Sequence, residues 1–387
     1  MSSPRAAEAW MIHRGDGQQS TPAELTRGSI QLPAPAKGEV IVEPLYGCWE
    51  ANMSHAIDRR PVDVCAQRGE DHAVLGNSGV VRAVEVGSGV ENIRPGDHYL
   101  FFGTGVADDF GYMRLAHAYD APGTVGMLAR QTLVPARNLF PIASDSKATL
   151  PQWAAFSLRY MTAWSNWNVA LGCFRTQLSE SDLPAPHVWG WGGGSTLAEL
   201  ELAKLQGCRA TMVSGNEQNL KHIAASGIET VDRREFPNLT YDADRYGVDH
   251  EYRQSFKESE KRFLTMVKER TDGLGVQIFI DYIGLPTLRV TQKALGRCGV
   301  IATAGWKHGM DEPTNRAMEC IARHIHVYTH YARFSEVLPA MDFAERNNWL
   351  PRVDESEIYD FDEIPRLVAD YAAGQTSYYP IYRVNAS

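Results

Sequence analysis

The sequence predicts an α/β fold in two parts: a β-rich first third and, after it, a doubly wound parallel sheet. Short alternating runs separated by turn residues fill the chain up to about residue 150. From residue 187 onward, strand-like and helix-like segments alternate, which is the pattern of a parallel sheet with helices on both faces. A glycine-rich turn joins the first strand and helix of that series.

Composition limits the possible partners. The 387 residues are 44% hydrophobic and 22% charged, as expected for two or three globular domains. The net charge of −9 gives no reason to expect nucleic acid or an anionic membrane. No apolar run approaches the roughly 20 residues that span a bilayer, and the N-terminus has no signal core, so a cytoplasmic location is expected. The six cysteines form no C-x-x-C pair, which favours reduced thiols and excludes a four-cysteine zinc lobe.

The elements follow from hydrophobic period and turn residues. In the first third, strands are predicted at 38–43, 79–87, 98–102 and 131–134, and they indicate a small, irregular β-barrel. An apolar, aromatic helix is predicted at 152–168. The later strands are predicted at 187–189, 209–213, 229–231, 276–281, 300–304 and 326–329, with helices at 197–206 and 220–225. The charged segment 236–261 shows little apolar period, so a solvated excursion or surface helix pair is predicted there.

The strongest local signal is the turn after the strand at 187–189. A strand that enters a glycine-rich turn lets backbone N–H groups approach a pyrophosphate at the N-terminus of the next helix. The residues predicted to bind a dinucleotide here are Gly190, Trp191, Gly192, Gly193, Gly194, Ser195 and Thr196. Thr196 stands where the usual spacing places a third glycine. The alternative is a turn with a purely structural role.

The end of the second strand indicates which nicotinamide cofactor is preferred. It carries Ser214, Gly215 and Asn216, without the acidic residue that usually binds the ribose 2′-hydroxyl of NAD. Small polar residues near Arg209 and Lys221 suit a 2′-phosphate, so NADPH is predicted, with NADH possible. Alternatively, Lys221 is a solvated helix residue.

Two later strands also end in candidate residues, because ligands of a doubly wound sheet bind at the carboxyl ends of its strands. Asp281 and Tyr282 follow one of these strands, and Gly305 and Trp306 follow the next. All four are predicted to contact the cofactor or the substrate. The alternative for the aromatic residues is packing.

In their order along the chain, these features resemble a known family, the zinc-free medium-chain dehydrogenase/reductases. The resemblance is strongest to crotonyl-CoA carboxylase/reductases and related enoyl-thioester reductases, and it runs from about residue 38 to the last strand. It rests on the glycine-flanked run 79–87, Pro95-Gly96-Asp97, Thr162-Ala163-Trp164, Trp189-Gly190 with the turn after it, and Thr329-His330-Tyr331-Ala332.

The resemblance implies a GroES-like catalytic domain at 1–150, completed by 335–387, and a Rossmann domain at 151–334, with the active site in the cleft between them. It also implies hydride transfer from NADPH to the β-carbon of an α,β-unsaturated thioester. His330 or Tyr282 would then help to stabilise or protonate the developing enolate, and Thr162 would contact the nicotinamide. Trp49 and Asn52 are candidates for the substrate wall. Each of these residues has a structural role as its alternative.

Two departures from the family modify this expectation. The Phe-Glu pair of the family's CO₂ pocket aligns with Ala121-Pro122, so reduction without carboxylation is expected. The Gly-His-Glu motif of zinc-dependent relatives is replaced at Gly76-Asn77-Ser78-Gly79, and Cys48 lacks partners at the expected positions, so no metal is expected.

Three functions stay open at this point. The first is an enoyl-thioester reductase with a CoA- or carrier-bound substrate. The second is a zinc-free carbonyl or quinone reductase or a biosynthetic dehydrogenase, and the third is a protein that binds the dinucleotide without turnover. By analogy with the family, the apolar segment 325–331 is expected to form a homodimer edge.

Overall fold

The computed structural model describes residues 5–17, 21–305, 313–329 and 331–386. The chain divides into two compact units. Unit one comprises residues 1–161 and 332–387, and unit two comprises residues 162–331. The sequence predicted a domain division at residues 150 and 334, whereas the two units divide after residues 161 and 331.

The secondary structure alternates in character along the chain. The strands are β1 Arg5–His13, β2 Thr26–Leu32, β3 Glu39–Cys48, β4 His72–Ala73, β5 Ser78–Val86, β6 His98–Phe102, β7 Thr104–Ala107, β8 Met113–Ala116, β9 Thr132–Pro135, β10 Leu139–Pro141, β11 His187–Trp191, β12 Arg209–Ser214, β13 Glu229–Asp232, β14 Val276–Asp281, β15 Leu295–Thr303, β16 His326–Thr329, β17 Tyr359–Asp360 and β18 Ile381–Arg383. The α-helices are α1 Ala51–Ile57, α2 Val64–Arg68, α3 Leu150–Ala155, α4 Met161–Arg175, α5 Gly194–Leu205, α6 Glu217–Ala225, α7 Ala243–Val248, α8 His250–Arg270, α9 Leu285–Ala294, α10 Phe334–Asn347 and α11 Ile364–Ala372. π-Helical turns occupy Phe156–Tyr160 and Arg316–Ala322.

Unit one is built on antiparallel sheets. Its largest sheet has the order β10-β6-β5-β3-β18-β17, with β9 beside β3. Smaller sheets have the orders β2-β1-β4 and β7-β8. Glycines let the strands approach closely: a side chain at Gly79, where φ is +154°, would come within 2.5 Å of the Tyr46 carbonyl oxygen. The predicted strands at 79–87 and 98–102 are confirmed as β5 and β6.

Unit two contains one parallel sheet of order β13-β12-β11-β14-β15-β16. The chain starts at β11, moves outward through β12 to β13, and then returns to β14 on the other side of β11, so the topological switch point lies between β11 and β14. Gly190 pairs with Ile280 across this boundary. Every residue of β11 and β14 is buried, as expected for central strands covered on both faces. The predicted doubly wound sheet is confirmed.

The charged insertion differs from its prediction. It does form two helices, α7 and α8, but α8 is not merely a solvated element. Tyr252, Phe256, Phe263 and Val267 recur at helical spacing and are buried in the core of unit two. The ring of Phe263 stacks on Trp191 with centroids 5.5 Å apart. Most charged residues of α8 are exposed, although Glu260 is buried, and their number hides this period. Among the described helices, none combines the length and the apolar character needed to cross a membrane.

Candidate dinucleotide site

The glycine-rich turn leads directly from β11 into α5. Gly192 has a φ of +151°, and Gly193 is the N-cap residue of α5. A side chain at Gly192 would meet the Thr196 hydroxyl at 2.2 Å, and one at Gly190 would meet the Thr196 methyl at 2.6 Å. Thr196 is fully buried. It therefore fills the space that a third glycine would leave, and the two glycines accommodate it.

Gly193 differs from its neighbours because it faces open space. A side chain added there would meet no protein atom within 4 Å. The residue is exposed and lies at the N-terminus of a twelve-residue helix, whose first N–H groups carry partial positive charge. Gly194 and Ser195 form the first turn of that helix. An anionic group can therefore approach the backbone at this point without steric hindrance.

The end of β12 brings a cation to the predicted ribose position. Gly215 follows β12, and a side chain there would lie 3.2 Å from the Arg233 guanidinium. Arg233 comes directly after β13, the parallel neighbour of β12. Its guanidinium is exposed and forms no ion pair within the described residues. Sequence analysis missed Arg233, although its place just after the third strand was a usable signal.

The other polar groups near β12 have local partners. The Asn216 side chain caps α6 by accepting a hydrogen bond from the Asn219 backbone at 3.1 Å, and Ser214 ends the strand. Lys221 is exposed and pairs with Glu217 at 2.9 Å, in agreement with its alternative as a solvated helix residue. Arg209 is the first residue of β12, so it lies at the amino end of the strand, opposite the ligand edge. Its predicted proximity to the ribose is therefore wrong.

Asp281 is buried and saturated with hydrogen bonds. Its carboxylate accepts from the backbone N–H groups of Ile283 and Gly284, at 3.0 and 2.9 Å, and from the Thr287 and Thr291 hydroxyls, the latter at 2.7 Å. The Trp191 indole also donates to Thr291, at 3.1 Å. The Asp281 and Trp191 side chains thus hold α9 against the carboxyl ends of β14 and β11. A cofactor role for either of them stays a prediction.

Tyr282 belongs to a buried polar cluster in unit two. Its hydroxyl donates to Glu199 Oε2 at 2.7 Å and accepts from Asn166 Nδ2 at 2.8 Å. Glu199, on α5, is fully buried, and burial raises the pKa of its carboxyl to about 8, against lowering contributions from the Tyr282 and Asn166 hydrogen bonds. The Tyr328 hydroxyl donates to the Asn166 carbonyl at 2.6 Å. Tyr282 was a predicted catalytic residue; Glu199 and Asn166 were not identified from the sequence.

Comparison with known proteins relates this chain to solved structures but not to any sequence family. No protein-family model matches the sequence, and no curated protein matches it. Solved structures do match over nearly the whole chain. Crotonyl-CoA carboxylase/reductase AntE in complex with NADP is 19% identical, with a TM-score of 0.78 over 100% of this chain and 96% of that one. The chain has the fold of the medium-chain dehydrogenase/reductases.

Two further structures show the breadth of this dehydrogenase fold. The 2-octenoyl-CoA carboxylase reductase CinF, in complex with NADP and 2-octenoyl-CoA, is 17% identical, with a TM-score of 0.79 over 99% of this chain and 88% of that chain. A thermostable alcohol dehydrogenase from Pyrobaculum aerophilum is 15% identical, with a TM-score of 0.72 over 98% of this chain and 100% of that chain. Reductases and alcohol dehydrogenases thus share the architecture.

Within this dehydrogenase fold, the remaining candidates fall in different places. A side chain at Gly305 would come within 2.3 Å of the Tyr282 carbonyl oxygen, so the loops after β14 and β15 touch only because this residue is glycine. Thr162 is half-buried on α4. Trp306 and His330 lie outside the described residues, and their roles stay predictions.

The two substrate candidates lie in unit one, near a buried ion pair. Trp49 is fully buried and belongs to the core of that unit, and its indole donates to Ser54 at 3.0 Å. Its backbone carbonyl accepts from Arg159, whose guanidinium also pairs with Glu50 at 3.0 Å. Trp49 is therefore a packing residue rather than an open wall. The amide oxygen of Asn52 is buried and has no hydrogen-bond partner among the described residues, so Asn52 keeps a free polar atom.

Cys48, for which the sequence shows no partner metal ligands, is the last residue of β3. Cys48 is buried, and burial raises the pKa of its thiol. A thiol in this state is a poor metal ligand, because zinc binds the thiolate. Within the described ranges, no three His, Cys, Asp or Glu side chains cluster in a way that could hold a metal ion.

Proposed function

We propose that this protein is an NADPH-dependent reductase of an α,β-unsaturated thioester or a related enone. The observation that carries the proposal is the open backbone at Gly193, at the N-terminus of α5 and beside the switch point of the parallel sheet. A pyrophosphate fits this position both sterically and electrostatically. When bound, NADPH supplies the hydride, and the protein's part is to hold and orient the reactants.

The preference for NADPH over NADH rests on Arg233. Its guanidinium lies beside Gly215, and no acidic residue occupies 214–216 at the end of β12. A guanidinium can donate two hydrogen bonds to a phosphate, whereas a ribose hydroxyl gains little from it. Arg233 would therefore bind the 2′-phosphate and distinguish NADPH from NADH.

Replacing Arg233 with alanine is expected to weaken NADPH binding by about 10- to 100-fold, as loss of a charge-assisted contact of roughly 1.5–3 kcal/mol implies. NADH binding should change by less than about threefold. Fluorescence titration with both cofactors measures the two affinities. Arg234→Ala is the matched control, because Arg234 forms an ion pair with Asp232 at 2.6 Å. Equal losses for both cofactors would contradict the assignment.

The thioester substrate is supported by the resemblance to enoyl-thioester reductases and by CinF, whose structure contains 2-octenoyl-CoA. Ala121-Pro122, in place of a Phe-Glu pair, supports reduction without CO₂. The test is a panel of enoyl thioesters, enones, quinones, aldehydes and ketones with NADPH, with and without bicarbonate. Oxidation of NADPH by unsaturated thioesters, independent of bicarbonate, is the expected result. Turnover of free carbonyls alone would favour a carbonyl reductase, and binding without any turnover would favour a non-catalytic protein.

We also propose that catalysis is independent of zinc and that the protein is a homodimer. The buried Cys48 thiol supports the first proposal, and activity should persist after treatment with a chelator. β16 lies at an edge of the parallel sheet and can pair with a second copy, which supports the second. Light scattering should then give about twice the chain mass of 43.0 kDa.

A further inference from the structure

Glu199 is a buried acidic residue on α5, the helix that follows the glycine-rich turn. It lies one turn after Thr196 on α5, and neighbours three positions apart share a helix face. Its Oε2 accepts hydrogen bonds from Tyr282 at 2.7 Å and from Asn166 at 3.4 Å. Its other oxygen, Oε1, is buried and has no hydrogen-bond partner in the described part of the chain. The carboxyl group is therefore only half satisfied.

The surroundings of Glu199 favour its uncharged form. Among the described residues, Asn166 on α4 and Tyr282 after β14 donate to it, and the Tyr328 hydroxyl on β16 interacts electrostatically with both Glu199 and the Cys173 thiol. None of the described Lys, Arg or His side chains forms an ion pair with it. A buried carboxylate with one unpaired oxygen and no cation is costly, whereas a neutral carboxylic acid can remain there.

The cluster is joined to the turn through Tyr282. A side chain at Gly192 would lie 3.3 Å from the Tyr282 Cβ, and the Tyr282 backbone N–H donates to the Trp191 carbonyl at 3.4 Å. On its other side, Tyr282 closes against Gly305. Tyr282 therefore makes two contacts: its hydroxyl donates to Glu199, and its Cβ packs against the glycine-rich turn at the switch point.

We propose that Glu199 is a positioning residue for dinucleotide binding: as a neutral acid it holds Tyr282 against the turn, and its ionisation weakens the binding of the cofactor. Two effects act in the same direction. An ionised Glu199 would need a hydrogen-bond donor for its unpartnered Oε1, which the described residues do not supply in their present arrangement, so the cluster would have to rearrange. It would also add a negative charge inside the helix whose N-terminus is proposed to bind the pyrophosphate. This inference rests on the proposed dinucleotide site.

The experiment measures the dissociation constant of NADPH by tryptophan fluorescence between about pH 7 and 9.5. This range avoids the titration of a phosphate near pH 6. Across this pH range, the affinity of the wild-type protein for NADPH is expected to fall at least about tenfold. A fall of this size follows if cofactor binding shifts the pKa of Glu199 by about one unit. Glu199→Gln should bind at every pH about as tightly as the wild-type protein does at the lower end. Glu201→Gln is the matched control, because Glu201 lies on the same helix and accepts from Ser226 at 2.7 Å. It should keep the wild-type profile.

The outcomes separate this inference from the proposed function. Binding that is tight but independent of pH in the wild-type protein would overturn the role of Glu199 and leave the dinucleotide site intact. The same would follow if Glu199→Gln retained the wild-type profile. Failure of all three proteins to bind NADPH or NADH at any pH would instead remove the proposed function. If Glu199→Gln does not fold, the wild-type profile and that of Glu201→Gln decide the question.

Discussion

Replacing Glu199 with glutamine is expected to stabilise the protein at alkaline pH, by about 3–5 kcal/mol near pH 8.5 and by much less near pH 5. The reason is the raised pKa of this carboxyl. Burial moves it from an ordinary value of 4.5 to about 8. Between these two values the unfolded chain has released the proton, but the folded protein retains it. The free energy of unfolding therefore falls as pH rises through this window, at up to about 1.4 kcal/mol for each pH unit, and levels off above it.

Glutamine cannot ionise, so the variant lacks this decline while keeping a neutral side chain of similar shape. Urea denaturation of both proteins at intervals between about pH 5 and 9 gives the difference in unfolding free energy directly. Contributions of other titrating groups cancel in that difference. A difference that stays constant with pH would mean that Glu199 is ionised in the folded protein, and Glu201→Gln should show no such trend.

The fold was largely predictable because each element carries a local signal. Strands β6, β14 and β16 have the predicted limits, since turn residues or a sharp change in polarity bound each apolar run. The glycine-rich turn was predicted for the same reason: its glycines follow a strand and precede a helix. Helix α8 was misjudged because its buried apolar residues are four or more positions apart within a highly charged segment. The helix is buried against core residues from distant parts of the chain, which a short stretch of sequence does not reveal.

The site was less predictable, because its decisive contacts join distant segments. Arg233 reaches Gly215 only because β13 pairs in parallel with β12. Glu199, Tyr282 and Asn166 come from three elements that meet in unit two. The one local signal was an acidic residue within the apolar stretch of α5, between Ala198 and Leu200. Sequence alone does not reveal whether that residue faces solvent or the sheet, since the helix is hydrophobic over much of its circumference.

Alanine substitutions at two adjacent glycines of the turn are expected to separate dinucleotide binding from folding. Gly193→Ala should weaken the binding of NADPH and NADH about 100-fold or more, because its methyl group would occupy the open space where the pyrophosphate approaches the backbone. The same methyl group meets no protein atom, and the backbone at Gly193 (φ −109°, ψ −146°) lies beside the extended region, so the free energy of unfolding should fall by about 1–2 kcal/mol at most.

Gly192→Ala is the matched variant, and it should lower the free energy of unfolding. Its methyl group would lie 2.2 Å from the Thr196 hydroxyl, at a φ of +151° that alanine rarely adopts. We expect a loss of more than about 2 kcal/mol in unfolding free energy. Denaturation and fluorescence titration of both variants measure the two quantities. If Gly193→Ala binds both cofactors as the wild-type protein does, the open face of the turn is not the pyrophosphate site. Because that variant is expected to remain folded, its loss of binding can be assigned to the blocked backbone itself.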